Sequence, residues 1–403
     1  MKIKNFQHAE NRGFSSTMTK QRIYMDHAAT TPVDSEVMKE MSPYFSEKFG
    51  NASSMHSFGQ EARDAIEDAR ARIAHIIGAS PEEIIFTSGG TEADNMAIKE
   101  IAFVNRTKTR NHIITTKIEH DAVIESCKLL ENMGFEITYL DVDSNGLVKP
   151  VDVEKAITEK TILVSVMHAN NEIGTIEPIA EIGRICNEKH VYFHTDAVQT
   201  FGKLPIDVKK MNLDLLSASS HKIYGPKGTG FLYVKKGTKI GALMQGGGHE
   251  FGLRSGTENV PGIVGMAKAA EIASKNMFEE NKRLCKLRDF MIKDLLKIPG
   301  TRLNGHSNLR LANNINISFS KIEGESILLH LDKFGIAAST GSACSSKSLE
   351  PSHVLLALGL SHIEAHGSLR LTLGKSNTEK DAEYVLKVLP KIVKDLRKLS
   401  PLK

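Results

Sequence analysis

The chain has 403 residues, of which 40% are hydrophobic and 25% charged, and its formal net charge is +4. This composition indicates a folded globular protein with a large core and at least two domains. The basic residues are spread along the sequence, which argues against nucleic-acid binding, and no apolar run is long enough to span a bilayer.

Residues 1–21 are polar and show no apolar periodicity, so we expect a flexible N-terminal tail. The tail contains basic residues and a Ser-Ser pair, which leaves an organelle presequence as an alternative. The cytoplasm is the expected location, and the mitochondrial matrix or a related organelle is the alternative if the tail is a presequence.

Strand and helix patterns alternate from about residue 55 to residue 270. Helical periodicity covers Gly59–Ile77 and Glu92–Val104. The alternation predicts an α/β fold with a mostly parallel sheet, whose ligands bind beyond the carboxyl ends of the strands. The predicted strands are Glu83–Thr87, His112–Thr116, Glu136–Leu140, Thr161–Met167, Val191–Thr195 and Leu213–Ser217.

A long helical pattern, Ile263–Leu296, leads into a second region with predicted strands at Ala312–Phe319 and Ser368–Leu373 and a closing helix at Asn377–Leu399. We therefore predict a smaller α+β domain after the large one. The expected divisions are a segment at 22–32 that joins the small domain, a large domain at 33–265, and a small domain at 266–403 with a mobile cysteine loop at about 338–350.

Lys222 follows Ser219-Ser220-His221 and precedes a Gly/Pro turn. This pattern places an ammonium at the end of a strand, where a desolvated lysine can lose its charge and form a Schiff base with an aldehyde. A surface lysine before a hairpin is the alternative.

Asp196 closes the apolar strand Val191–Thr195. A carboxylate there needs a positive partner, and a protonated pyridine nitrogen would be one. A helix N-cap is the other interpretation.

Ser88-Gly89-Gly90-Thr91 separates a strand from a helix. Glycines and a helix N-terminus can hold a phosphate, although the pattern also suits a plain turn. His120 follows a predicted strand and could exchange protons near neutral pH, or be an ordinary surface histidine. Asn170 and Asn171 follow another strand as loop formers or ligand contacts.

Taken together, these motifs closely resemble those of the cysteine desulfurases, which are pyridoxal 5'-phosphate (PLP) enzymes of fold type I. The resemblance spans about residues 23–400. Its landmarks are Tyr24–Pro32, Ser88–Glu92, Glu119-His120, Asn170–Gly174, His194–Gln199, Ser219–Lys222, Arg254–Thr257 and Ser339–Cys344.

The resemblance implies the following roles. Lys222 would bind PLP covalently, Asp196 would pair with the ring nitrogen, Gln199 would contact the ring hydroxyl, and His120 would stack on the ring and act as an acid and base. The phosphate would be held by Gly90, Thr91, Ser219 and His221, with Thr257 reaching across from the other subunit of a homodimer. Asn171, also a cofactor contact, and Arg370 would clamp the substrate carboxylate.

Cys344 lies among small polar residues, which is typical of a mobile surface loop. The resemblance makes it the residue that receives sulfur from L-cysteine as a persulfide. Cys127, Cys186 and Cys285 lie in helical patterns and are expected to pack in the interior. No metal site is expected, apart from transient iron–sulfur ligation by Cys344.

The length of the cysteine loop resembles the subgroup that supplies iron–sulfur cluster assembly. The expected partners are therefore L-cysteine, a second subunit, and an iron–sulfur scaffold protein, with thiouridine-forming enzymes as further sulfur acceptors. Two other functions remain open on the sequence: another PLP enzyme, such as an aminotransferase or a selenocysteine lyase, and a catalytically idle sulfur carrier.

Overall fold

The computed structural model describes residues 22–341 and 351–401. The predicted N-terminal tail and most of the predicted cysteine loop, including Cys344, lie outside the described residues.

Twelve strands are found in the described ranges. They are β1 Ile23–Tyr24, β2 Ile84–Thr87, β3 His112–Thr116, β4 Glu136–Leu140, β5 Thr161–Ser165, β6 Tyr192–Asp196, β7 Leu215–Ser219, β8 Gly230–Val234, β9 Thr301–Leu303, β10 Asn314–Phe319, β11 Ile336–Ala337 and β12 Ser368–Thr372.

The α-helices of the same ranges surround these strands. They are α1 Ser35–Met41, α2 Pro43–Ser46, α3 Ser57–Ile77, α4 Gly90–Asn95, α5 Ile101–Asn105, α6 Asp121–Asn132, α7 Pro150–Ala156, α8 Ile179–Glu188, α9 Val260–Leu295, α10 Gly324–Lys333, α11 His353–Ala357, α12 His362–His366 and α13 Glu379–Leu399.

The larger sheet has the strand order β2-β8-β7-β6-β5-β3-β4. All neighbours from β7 to β4 are parallel, and only β8 runs antiparallel to both of its neighbours. The predicted α/β fold with a mostly parallel sheet is confirmed. The carboxyl ends of β6 and β7 are therefore adjacent, and the candidate site lies there.

Helices cover both faces of this sheet. Ile114 and Leu216 pack into one hydrophobic cluster with α1, α3, α8 and the start of α9. Their strand neighbours Ile113 and Leu215 pack into a second cluster with α4, α5 and α6. Because successive side chains of a strand point to opposite faces, the two clusters are the two halves of one buried sandwich.

A three-stranded antiparallel sheet with the order β12-β10-β9 lies in the C-terminal region. Its apolar core contains side chains of α10, α13 and the second half of α9. The N-terminal strand β1 joins this region by pairing in parallel with β11. The helix α9 runs through residue 265 without a break, and the domain limits stay predictions.

Two element boundaries differ from the sequence patterns. The strand β7 lies two residues further along than predicted, because Ser217 and Ser219 belong to it and are buried. Ser217 is accommodated there by a hydrogen bond to Nε2 of His194 at 2.9 Å. The helix predicted at Glu92–Val104 begins at Gly90 and contains a π-type turn at Met96–Glu100.

Candidate active site

The floor of the site is formed by residues at the ends of β6 and β7: Asp196, Gln199, Ser219 and Lys222. Asp196 is the last residue of β6, and it lies opposite Ser217 of β7 in the parallel register. The strand β7 ends at Ser219, and a 3-10 turn at Ser220–Lys222 follows directly. Adjacent parallel strands thus bring an acid and an amine, 26 positions apart in the sequence, to one sheet edge.

Asp196 is buried and accepts a hydrogen bond from the backbone N–H of Val198 at 2.8 Å. The helix N-cap interpretation is wrong, because the chain after Asp196 forms a series of turns rather than a helix. The carboxylate therefore stabilises a local turn.

Burial raises the pKa of Asp196, and the positive charges of His120 and Lys222 only partly oppose this effect. A carboxylate in such a position is stabilised by an additional cation. The floor is therefore suited to a ligand with a protonated ring nitrogen.

Asp94, in α4, is a buried acid that the sequence interpretation missed. Burial, followed by the negative charge of Asp196, raises its pKa well above the usual range. One of its oxygens has no hydrogen-bond partner, and it lies 3.7 Å from Nε2 of His194. The signal in the sequence was weak, because Asp94 lies next to the buried Ala93 in a short helix that also contains exposed or half-buried polar residues.

The Lys222 ammonium contacts a segment just after β1. Its Nζ donates to the carbonyl oxygens of Ala28 and Ala29 at 2.6 and 2.7 Å. Nε2 of Gln199 donates to the same Ala28 oxygen at 3.0 Å. The segment 26–31 was a landmark of the resemblance without an assigned role, and it forms one side of the floor.

The turn at Gly89-Gly90 passes close to the floor. A Cβ atom on Gly90 would come within 2.5 Å of a Val198 methyl group, so only glycine allows this approach. Gly89 has a φ of 153°, and a Cβ there would lie 3.8 Å from Oγ of Ser219. The structure thus brings Gly90 close to Ser219, and Thr91 follows directly at the start of α4.

His221 lies on the same turn as Lys222. Its Nδ1 is 3.1 Å from the Thr30 hydroxyl, and burial, followed by the charges of Lys222, Lys227 and Lys203, lowers its pKa to about 4. The imidazole is therefore neutral at pH 7 and can offer one N–H to an anion.

His120 caps the N-terminus of α6, a role that the sequence interpretation did not assign. Its Nδ1 accepts the backbone N–H of Ala122 at 3.1 Å, so the neutral ring carries its proton on Nε2. His120 and Asn171 line one cavity together with Gly341 and Pro351, the residues that flank 342–350.

The wall of the site consists of Asp26, Asn171 and Arg370. The buried Arg370 guanidinium donates to Oδ1 of Asp26 at 2.9 Å and to the backbone oxygen of Asn171 at 3.1 Å. Its Nε is buried and has no hydrogen-bond partner among the residues that the structure describes. The predicted pair of Asn171 and Arg370 is thus brought together, and Asp26 is a member that the sequence interpretation missed.

Thr257 is exposed and is not brought to the floor of its own chain. Arg254, three residues earlier, donates to Glu92 from Nε at 2.8 Å. The same Glu92 accepts the backbone N–H of Ser88 at 2.9 Å. The Arg254–Thr257 motif therefore fixes the Ser88–Thr91 turn.

Cys127 and Cys186 are buried in helices α6 and α8, whereas Cys285 in α9 is half-buried. Burial raises the pKa of Cys186 to about 12, so this thiol stays protonated and unreactive. In residues 22–341 and 351–401, no three His, Cys, Asp or Glu side chains are grouped to hold a metal ion. No helix in these ranges has the length and apolar character needed to cross a membrane.

Comparisons with known proteins agree with this geometry. Residues 23–385 match the aminotransferase class-V family. The cysteine desulfurase IscS of Methanosarcina thermophila is 57% identical over 390 residues, which cover 97% of this chain and 96% of the relative.

Two solved structures also superpose on the chain. A NifS-like protein matches with a TM-score of 0.88 and 42% identity, covering 93% of this chain and all of the other. SspA, solved in complex with cysteine, matches with a TM-score of 0.78 and 40% identity over 87% of this chain and 98% of the other. The chain thus belongs to the class-V aminotransferase family and, within it, to the cysteine desulfurases.

Proposed function

We propose that this protein is a cysteine desulfurase that converts L-cysteine to L-alanine, collects the sulfur on Cys344, and supplies it for iron–sulfur cluster assembly. The observation that carries the proposal is the arrangement of the site. The buried acid Asp196 lies near the amine of Lys222, and Arg370 in the wall has an Nε without a partner among the described residues.

PLP fits the floor, because the buried Asp196 is suited to a cationic ring nitrogen and the Gly89-Gly90 turn leaves room for a close approach. When bound, PLP supplies an aldehyde that couples to amines and a ring that withdraws electrons. Lys222 would hold the aldehyde carbon and Gln199 the ring hydroxyl. The phosphate would be bound by Gly90, Thr91, Ser219, His221 and a Thr257 supplied by a second copy of the chain.

Arg370 and Asn171 orient the substrate. A guanidinium donates through a planar fork, and the free Nε of Arg370 lets it bind a carboxylate while the Asp26 contact persists. SspA, a similar protein, was solved in complex with cysteine, which supports an amino acid of this kind as the substrate.

Lys222 and His120 are the groups that accept and donate protons. Lys222, on the turn after β7, takes the α-proton of the substrate and returns it. His120 holds a proton on Nε2, because Nδ1 is occupied by the backbone of Ala122. Its position beside Asn171 in one cavity suits exchange with the substrate.

Cys344 completes the reaction. The carbon–sulfur bond of L-cysteine breaks, a sulfur–sulfur bond forms, and the thiol of Cys344 becomes a persulfide. The released carbon gains a hydrogen, so that L-cysteine and one thiol yield L-alanine and one persulfide. The substrate carbon is reduced and its sulfur is oxidised, which requires no other reactant.

Exposed apolar side chains support the homodimer. Phe49 and Phe58 are exposed by 64% and 50%, and their ring centroids lie 5.7 Å apart. Phe45 and Met55, in the same stretch of sequence, are exposed by 64% and 89%. Exposed apolar side chains that contact one another are typical of protein interfaces. An iron–sulfur scaffold is the proposed sulfur acceptor, with thiouridine-forming enzymes as a further one, and the cytoplasm is the proposed location.

The experiment is to compare Cys344→Ser with Cys285→Ser, a matched change in a half-buried thiol. In Cys344→Ser we expect alanine release to fall by more than about 100-fold, while the absorption change of the bound cofactor on adding L-cysteine persists. Cys285→Ser should match the wild type. Full turnover in Cys344→Ser, or a keto acid as the main product, would overturn the proposal.

A further inference from the structure

Lys203 is a second lysine near the floor, and it has no place in the mechanism above. It lies in the series of turns after β6, and its Nζ donates to Oε1 of Gln199 at 3.3 Å. Lys203 and Lys222 line one small cavity of about 70 Å³, together with His27, Glu280 and Lys375. In the ranges that the structure covers, Lys203 forms no ion pair with a carboxylate.

The environment of Lys203 disfavours its charged form. Burial, followed by the positive charge of Lys222, lowers the pKa of Lys203 to about 7. The same ammonium contributes to the lowered pKa values of His27 and His221. A buried lysine beside another lysine, without an acidic partner, contributes little to stability on its own.

The backbone holds Lys203 in place. Nδ2 of Asn281 in α9 donates to the Lys203 carbonyl oxygen at 2.6 Å. The preceding Gly202 has a φ of 71°, and a Cβ there would lie 3.0 Å from both Ala273 and Ile223. The turn is thus packed against α9, which directs the Lys203 side chain to the floor.

The contact of Lys203 decides which way the Gln199 amide faces. The two ends of a side-chain amide have nearly the same shape and differ in hydrogen bonding. The Ala28 carbonyl only accepts and therefore selects Nε2, and Lys203 in its charged form only donates and therefore selects Oε1. One N–H of Nε2 is used by Ala28, and the other remains to donate to a ligand.

We propose that Lys203 is a positioning residue that fixes the side-chain amide of Gln199, so that an N–H of this amide faces the cofactor site. The inference rests on the proposed function, in which Gln199 contacts the ring hydroxyl of PLP. Lys203 acts through Gln199 and touches neither substrate nor cofactor.

The test is a double-mutant cycle with Lys203→Met and Gln199→Ala, read by alanine release and by the absorption spectrum of the bound cofactor. We expect Lys203→Met to lower kcat about tenfold, as for one lost charge-assisted hydrogen bond, and to shift the spectrum. In the Gln199→Ala background the same change should alter kcat by less than about twofold. Lys209→Met, an exposed lysine with the same charge loss, should behave as the wild type.

An equal loss in both backgrounds would overturn the inference, as would an unchanged kcat and spectrum in Lys203→Met. If Lys203→Met does not fold, the kcat values of Lys203→Arg and Lys203→Gln test the inference instead. Arginine only donates and should stay within about threefold of the wild type, whereas an amide accepts as well and should lose about tenfold. Equal kcat values in these two variants would also overturn it. The proposed function is judged separately, by alanine release from the wild type.

Discussion

The floor of the site and its wall hold their buried charges with different partners. In the wall, Arg370 is paired with Asp26 at 2.9 Å. In the floor, burial raises the pKa of Asp196 even though His120 and Lys222 are near. The wall therefore holds its cation in a close ion pair within the protein, whereas burial disfavours the charged form of the acid in the floor.

This difference assigns the two parts to different ligands. A buried acid becomes more stable when a cationic ring binds beside it, so the floor suits a permanently held cofactor. A wall that is already paired changes little when a carboxylate arrives and leaves, which suits a substrate that turns over. Substitutions in the floor and substitutions in the wall should therefore affect different kinetic constants.

The largest effect is expected for Asp196→Asn. Asparagine can keep the hydrogen bond from Val198 but cannot carry the charge that holds a proton on the ring nitrogen. We expect kcat to fall by about 100-fold or more, while the Tm of the cofactor-free protein stays equal or rises, because burial disfavours the charge of Asp196. Alanine release and thermal unfolding measure the two quantities.

The control for this change is Asp207→Asn, an aspartate close to the surface that pairs with Lys210. It should alter kcat by less than about twofold. If Asp196→Asn retained the wild-type kcat, the floor would not depend on its charge.

A smaller effect is expected for Arg370→Lys. Lysine preserves the positive charge but lacks the planar fork, so Asp26 and a substrate carboxylate cannot be bound together. We expect the KM for L-cysteine to rise about 100-fold, as for loss of a buried charge-pair contact, with a smaller change in kcat. Steady-state kinetics measure both constants.

Arg302→Lys is the matched control, because Arg302 lies exposed in β9 of the same small sheet. It should leave the KM unchanged. A fall in kcat at constant KM in Arg370→Lys would place this side chain in the chemistry rather than in substrate binding.

The sequence predicted the strand ends well and the pairing of charges poorly. Lys222 and Asp196 were found because each interrupts a strong local pattern, an apolar strand followed by a turn. Asp26 and Lys203 could not be found in this way, since their partners Arg370 and Gln199 are identified only by tertiary contacts. Arg370 itself was assigned from the resemblance, because an arginine in a short strand has no distinctive local signal.

The predicted role of the half-buried His120 was incomplete, and two buried acids near it had no predicted role, for the same reason. His120 was predicted as a ring-stacking acid and base, but its capping of α6 depends on where the helix begins, and this is the least certain feature of a sequence pattern. Asp94 and Glu119 were given no role from the sequence, although Glu119 belongs to a landmark of the resemblance. Their burial follows from the packing of α4 and of the β3–α6 turn against β5 and β6.

The smallest effect on turnover is expected for Glu119→Gln. Burial raises the pKa of Glu119 to about 8, so this side chain is neutral over most of the physiological range. Its Oε1 accepts from Met167 N–H at 3.0 Å and from the Thr116 hydroxyl at 2.8 Å, and its Oε2 is unpartnered. A glutamine amide reproduces this arrangement, so kcat at pH 7 should stay within about threefold.

The thermal stability of the wild type and that of Glu119→Gln should diverge as the pH rises. The folded protein holds a proton on Glu119 that the unfolded chain releases near pH 4.5, so the contribution of Glu119 to stability is complete below that pH and is lost as the pH rises to about 8. Glutamine has no such loss. Glu119→Gln should therefore have a Tm near that of the wild type at pH 5 and a higher Tm at pH 8, whereas Glu125→Gln, at the exposed surface, should show no such divergence.

A Glu119→Gln variant less stable than the wild type at both pH values would mean that Glu119 is charged in the folded protein. The buried acids of this site would then be stabilised by cations of the protein itself, and the contrast between floor and wall would disappear.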